Sequence, residues 1–410
     1  MPFPRILSPR LPRHGPTAPR ILAPLAFIIT ITIIISFATL AHADCECGYL
    51  STINDTTSTS TTSTSNNKNQ ALFTDLLETD FTRLPSLSLS PQQQQEQEKQ
   101  RDWAPQAFNL TRQRARGEYG EMFAVENINL VHKKKEGGEE EKERGGVELV
   151  VRGGGVVVDG MVPVAELDTE RMDLFWGTFR AMMRVSGVRG TCAAFFWYFD
   201  DTQEIDMEFL SKDFNATNSS YPVNLVLQSR EAAMAGYDAS KTGNFVKVYL
   251  PFDPSEDFHE YRIDYLPGRV FFYADGVVLA QMDGPAVPSS PGHLILQHWS
   301  NGNKYWSGGP PAEDAALVVM YVKAYFNSSL VQRQQDWENR CRDPTAPNAV
   351  CRIPDVTPGN SSAADWFFKD HGNMTNNQTI SEQSEGLRLK EPWWPAMGWL
   401  LLVAGLAVAL

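Results

Sequence analysis

The sequence predicts an all-β protein, a sandwich or barrel of short strands, and three observations carry that expectation. Between residues 175 and 326, short alternating or apolar runs follow one another and no run holds a convincing helical period. Gly187, Gly190, Pro267-Gly268 and Asp275-Gly276 punctuate them as turns. The run 203–210 alternates strictly, with Ile205, Met207 and Phe209 on one face and Glu204, Asp206 and Glu208 on the other.

Taken in order, the chain opens with Arg5, Arg10, Arg13 and Arg20, an apolar run over 21–40 and the small-x-small triplet Ala41-His42-Ala43. Residues 1–43 therefore read as a secretory signal peptide, with an uncleaved anchor as the alternative. Residues 44–102, rich in Ser, Thr, Asn and Gln, read as a low-complexity linker with too little apolar surface to fold. Order is expected from Trp103, with strands over 121–130 and 147–151 split by a charged insertion. Further strands are expected at 176–185, 191–199, 203–210, 223–228, 245–249, 259–265, 269–273, 277–281, 293–299 and 317–325, all within one domain, 103–330. Residues 331–390 hold a short helix near 332–340, a cysteine-containing loop and a glycosylated stalk. From Trp393 to Leu410 no residue is charged, and this tail reads as an anchor signal, either for a glycolipid or as a short membrane span.

Composition narrows the partners. A net charge of −13 and a pI near 5.1 argue against nucleic acid and anionic membrane surfaces and are neutral towards polysaccharide. Eight N-x-S/T sequons, at Asn54, Asn109, Asn215, Asn218, Asn327, Asn360, Asn373 and Asn377, fit a secreted chain. Of five cysteines, Cys341 and Cys351 are the expected disulfide; Cys45 and Cys47 are too close to pair with each other, and Cys192 reads as a small core residue. No cysteine spacing suggests a zinc site, and no cofactor is expected.

The chemistry concentrates on the acidic strand. Same-face neighbours lie ~6.6 Å apart along a strand. Three carboxylates at that spacing, with no intervening base, repel one another. A solvated acidic face or a metal-holding strand would explain them; so would a glycosidase site, where one carboxylate is the nucleophile and another the acid/base.

Blocks around this strand carry a resemblance. Gly190-Thr-Cys-Ala-Ala-Phe-Phe196, Glu204-Ile-Asp-Met-Glu-Phe209, the block from Phe252 through His259 to Tyr261, and Phe272-x-x-Asp-Gly276 occur in the order seen in glycoside hydrolase family sixteen. The segment 105–330 resembles that family, notably its fungal cell-wall and xyloglucan transglycosylase/hydrolase branches. The resemblance implies a jelly-roll β-sandwich of the concanavalin A-like lectin/glucanase type acting on β-glucans with retention. It implies Glu204 as nucleophile, Glu208 as general acid/base and Asp206 as the residue tuning the nucleophile. Strand geometry alone places the Cα atoms of Glu204 and Glu208 ~13 Å apart, whereas a retaining pair needs carboxyls about 5–5.5 Å apart. Retention thus comes from the resemblance.

Sugar-binding candidates follow from period and neighbourhood: Asn224 and Gln228 on one strand face, Gln297 and Trp299 on another, then Asn301 and Trp306 in the Gly-rich loop 301–309. Trp176 and Trp197 are expected in the core. The expected activity is cleavage of β-1,3- or mixed β-1,3/1,4-glucan by a surface-tethered monomer. The alternatives are transfer to a glucan, xyloglucan or chitin acceptor, and a catalytically silent lectin-like binder.

Overall fold

A computed structural model describes residues 43–53, 70–84, 102–131 and 145–374. The signal segment, the Ser/Thr and Gln tracts, most of the charged insertion and the C-terminal apolar tail lie outside these residues. Strands dominate: β1 (Gly48–Thr52), β2 (Gln70–Phe73), β3 (Asp75–Asp80), β4 (Trp103–Pro105), β5 (Phe108–Leu110), β6 (Gly120–Phe123), β7 (Ile128–Val131), β8 (Gly146–Val151), β9 (Met161–Thr169), β10 (Leu174–Arg184), β11 (Cys192–Asp200), β12 (Gln203–Leu210), β13 (Tyr221–Gln228), β14 (Phe245–Leu250), β15 (His259–Leu266), β16 (Arg269–Ala274), β17 (Val277–Asp283), β18 (His293–Trp299), β19 (Ala315–Ser328) and β20 (Val350–Arg352).

Two large sheets face each other. One runs β17-β16-β15-β10-β19-β8-β7, with β3 also on β19; the other runs β14-β13-β12-β11-β18-β9-β6-β5, with β4 on β9. This is the expected all-β jelly-roll sandwich. Period-two patterning explains the packing. Ile205, Met207 and Phe209 of β12 point inward beside Phe195 and Trp197 of β11 and Leu294 and Leu296 of β18, against Phe179, Ile263 and Val319 of the opposite sheet. Burying each such side chain contributes about 1.5–3 kcal/mol. Trp197 donates its indole N–H to the Leu174 carbonyl at 3.0 Å, so its one polar atom is satisfied in the core.

Two of the blocks that carried the resemblance serve the scaffold. His259 lies flat against Phe252, ring centroids 3.5 Å apart, and its Nδ1 meets Asp275 at 2.7 Å. Asp275 itself occupies a left-handed turn (φ 46°) and accepts the Glu260 N–H at 3.0 Å.

The flanks depart from expectation. The linker assigned to 44–102 contains β1, β2 and β3, and Tyr49, Ile53, Phe73, Leu76, Leu77 and Phe81 are buried. Its composition misled because β3 buries polar residues with partners. Asp75 is held by Arg171 and Arg333, and Glu78 accepts from Tyr325 Oη at 2.6 Å. In addition, β19 is 14 residues long and β8 pairs only its first part, so β3 covers an edge that would otherwise be bare.

The Cys341–Cys351 disulfide does not form. Cys45 bonds Cys351 and Cys47 bonds Cys341, tying the chain across 306 and 294 residues. The reason lies in the small sheet β2-β1-β20, where β1 runs parallel to β20 and Tyr49 lies opposite Cys351. The expected helix forms at Val331–Arg340. Part of the proposed stalk is also ordered, since Val356, Ala363, Ala364 and Phe367 pack on Met182 and Tyr321.

Candidate active site

The acidic strand sits inside the second sheet, between β11 and β13, in antiparallel register that runs unbroken from Glu204 to Glu208 and shifts on β11 only between Tyr198 and Asp200. Glu204 lies opposite Tyr198 and Gln228, Asp206 opposite Phe196 and Val226, and Glu208 opposite Ala194 and Asn224. Directly opposed residues share a face, so the three carboxylates line the outer face as the alternation predicts. Next to β11 on this face comes β18, with His293, Ile295 and Gln297 opposite Tyr198, Phe196 and Ala194.

The two glutamates are in different surroundings. Glu208 Oε1 accepts the Trp306 indole N–H at 3.0 Å and the Cys192 thiol at 3.6 Å. With two donors on Oε1, a proton on this carboxyl belongs on Oε2. Glu204 instead shares a hydrogen bond with Asp206, which stabilises the ionised Glu204 and the protonated Asp206. Burial raises both glutamates to about 7, the Glu208 charge adds to the rise at Glu204, and Asp206 is driven well above the usual carboxylate range by burial and then by Glu204. A site that holds one carboxyl as a donor while its neighbour is a carboxylate can perform paired acid and nucleophile chemistry.

The expected binding residues divide. Trp306 reaches the site directly and stands over Phe245, centroids 6.1 Å apart. Asn224 and Gln228 flank Glu208 and Glu204 in register on the same face; Asn224 is buried and Gln228 Oε1 has no protein partner among the described residues. Gln297 is on the face but committed, donating to Glu166. Trp299 is half-buried against the cluster of Phe123, Val151, Val162, Val164 and Ala315, so it packs rather than forming a cleft wall. Asn301 is a structural pin. Its Nδ2 donates to the Ala115 carbonyl at 2.7 Å and to Glu121 at 3.1 Å, while its Oδ1 accepts from the Asn303 N–H at 3.0 Å and the Ser307 hydroxyl at 3.1 Å. Those four bonds use its whole side-chain capacity.

The loop 301–309 can lie close because Gly309 (φ 79°) backs onto Gly190 (φ 105°); a Cβ on Gly309 would fall 2.2 Å from the Gly190 carbonyl oxygen.

Three features escaped sequence reasoning. Cys192 faces the site as a donor to Glu208 rather than the core. Arg116, after a short helical turn, α1 (Arg112–Ala115), lies close enough to lower the pKa of both glutamates. Further across the face Glu121, Glu166 and Asp168 are raised to about 8, 7 and 9 by burial, helped at Asp168 by the Glu166 charge. For Glu166 and Asp168 the signal was present: Glu-Leu-Asp repeats, one unit shorter, the alternation of β12.

A β-sandwich whose outer face carries paired, differently tuned glutamates has the arrangement that glycosidase chemistry requires. Residues 163–321 match the model described as Glycosyl hydrolases family 16. A β-glucanase of Paenibacillus macerans is 30% identical over 139 residues, covering 32% of this chain and 52% of that protein. Crh-like protein 2 of Botryotinia fuckeliana is 23% identical over 229 residues, 52% of this chain and 46% of that one. Among solved structures, the Apo Crh5 transglycosylase aligns with a TM-score of 0.41 at 18% identity, covering 62% of this chain and 84% of its own. The chain spans about half the length or less of these two sequence relatives.

Proposed function

We propose that the protein is a retaining glycoside hydrolase of β-1,3- or mixed β-1,3/1,4-glucan, acting through a glycosyl-enzyme that a glycan hydroxyl can also intercept. The observation that carries this is the asymmetry of the two glutamates: Glu204 hydrogen-bonded to Asp206, Glu208 Oε1 saturated by Trp306 and Cys192. In the first step a Glu204 carboxylate oxygen attacks the anomeric carbon. The glycosidic C–O bond breaks and the Glu208 proton passes to the leaving oxygen. In the second step Glu208 takes a proton from water or from a sugar hydroxyl, that oxygen attacks the anomeric carbon, and Glu204 is released. Asn224, Gln228 and Trp306 are suited to hold the sugars alongside.

Delivery to the cell surface is part of the proposal. The N-terminal apolar run and the C-terminal uncharged tail support it, and so do two disulfides, which persist in oxidising compartments. Asn109, Asn215, Asn218, Asn360 and Asn373 are exposed and accessible to glycosylation.

The test is to give the purified protein laminarin, lichenan, xyloglucan and chitin oligomers, singly and as donor–acceptor mixtures. New reducing ends from laminarin or lichenan are expected; longer or hybrid products with few new ends would assign transfer instead. Binding without turnover on every glycan would leave only the lectin-like alternative.

A further inference from the structure

Two loops from distant parts of the second sheet meet above the acidic strand. One is the turn after β5, which places Arg116 at the end of α1; the other is the β13–β14 connection, which carries Tyr237. Strand order separates β6 from β13 by five steps, β13-β12-β11-β18-β9-β6, which is ~24 Å across a sheet with strands ~4.8 Å apart. Even so, the Arg116 guanidinium lies over the Tyr237 ring, 4.5 Å from its centroid.

The two loops also start from opposite strand ends. Arg116 is tied to the loop that follows β18, since the Asn303 side chain donates to its carbonyl at 3.2 Å and the Tyr119 N–H donates to the Asn301 carbonyl at 2.9 Å. In the antiparallel sheet that is the Glu208 end of β12. Tyr237 instead follows Gln228, which lies opposite Glu204. The contact therefore crosses the face diagonally, and β12 and β11 lie beneath it. Its influence on both Glu204 and Glu208 agrees with that placement.

The backbone under each partner is unusual. Arg116 has φ 58° and Tyr237 has φ 62°, left-handed values that side chains other than Gly, Asn and Asp rarely adopt. Both lie at helix C-termini: the Arg116 and Gly117 N–H groups donate to the Arg112 carbonyl, and the Tyr237 N–H donates to the Ala232 carbonyl at 2.7 Å after the short helix 230–234.

We propose that Arg116 and Tyr237 form a clasp across the cleft that makes slender, unbranched glycan chains the preferred substrates. With the clasp closed, a chain must pass beneath it end first, and a side branch would strike it. One exposed cation–π contact is weak, so the clasp opens readily and branched chains are slowed rather than excluded. The inference rests on the catalytic role proposed above, because discrimination is read from turnover.

The experiment compares kcat/KM on a linear β-1,3-glucan oligosaccharide with that on a β-1,3-glucan carrying β-1,6 branches. Wild-type protein should prefer the linear chain. Arg116→Ala and Tyr237→Ala should each lower that preference by about two- to five-fold, the range a single cation–π contact supports. The double variant should go no further, since each change breaks the same contact. An unchanged preference in either variant, or full additivity in the double, would overturn the clasp. Hydrogen exchange over 230–243 provides a readout free of turnover. Faster exchange in Arg116→Ala is expected, and exchange equal to wild type would remove the clasp even in an active enzyme. If the wild type turned over no glycan, the catalytic proposal would fail first and the specificity role with it, whatever the exchange showed.

Discussion

Glu208 has the pKa that sets the alkaline limit of the proposed chemistry. In the proposed mechanism its proton is the acid, and burial holds its pKa up to about 7. Activity should therefore fall as pH rises through about 7, because the carboxylate that remains has no proton to give. The Trp306 indole and the Cys192 thiol both favour the ionised form. Trp306→Phe removes one of these donors, so the alkaline limb should move to higher pH; a limb that stays put or moves down would separate Trp306 from the acid. Glu208→Gln should cost about 10²–10⁴-fold in kcat on natural glucans and much less on substrates with activated aryl leaving groups, which depart without a proton. The shared outward face of Glu204, Asp206 and Glu208 was legible because a period of two is local: each residue's face follows from its neighbours. Cys192 was not legible. Its outward face follows from the same alternation, but an apolar run of Cys, Ala and Phe has no polar marker to say which face is outward.

Among the elements, the N-terminal strands are the ones held by disulfides. Cys45 and Cys47, just before β1, bond the C-terminal segment, and β1, β2 and β20 form a third, small sheet. Neither pairing could be read from spacing, because proximity across about 300 residues is set by the sandwich closing, and Cys341 and Cys351 simply looked nearer. The strands in 44–102 were obscured by low-complexity tracts on either side and by buried acidic residues whose partners, Arg171, Arg333 and Tyr325, lie far along the chain. Cys45→Ser/Cys351→Ser should cost about 2–5 kcal/mol in urea unfolding while leaving the product pattern at low temperature unchanged. An equal stability in the double variant would mean that the small sheet holds without its staple. The loop 301–309 shows the opposite kind of error. Its aromatic and polar residues were read as a binding surface, but Asn301 pins the loop and only Trp306 faces the chemistry.

For the whole molecule, the outer face of the second sheet makes stability depend on pH. Glu121, Glu166, Asp168, Glu204 and Glu208 all have folded pKa values raised to between about 7 and 9. Above about pH 4.5 the unfolded chain releases these protons while the folded chain keeps them, so folding becomes less favourable with each pH step up to about 9. Asp75 has the opposite sign, since Arg171 and Arg333 hold it well below the usual range, and its contribution disappears only in strong acid. The urea midpoint should accordingly be higher near pH 5 than near pH 8.5, and Glu166→Gln should flatten that slope. A midpoint that rose from pH 5 to 8.5 would mean that these carboxyls are ionised in the fold. The same tension between burial and charge underlies the proposed acid and nucleophile. The central claim is that Glu204 carries the sugar between the two steps, and trapping tests it most directly. The protein is incubated with a 2-fluoro glucan-oligosaccharide donor bearing an activated leaving group, digested and mapped by mass spectrometry. One added glycosyl unit is expected on the peptide containing 203–210, lodged on Glu204 and absent in Glu204→Gln. A label on Glu208, or steady turnover of the donor with no label, would contradict it.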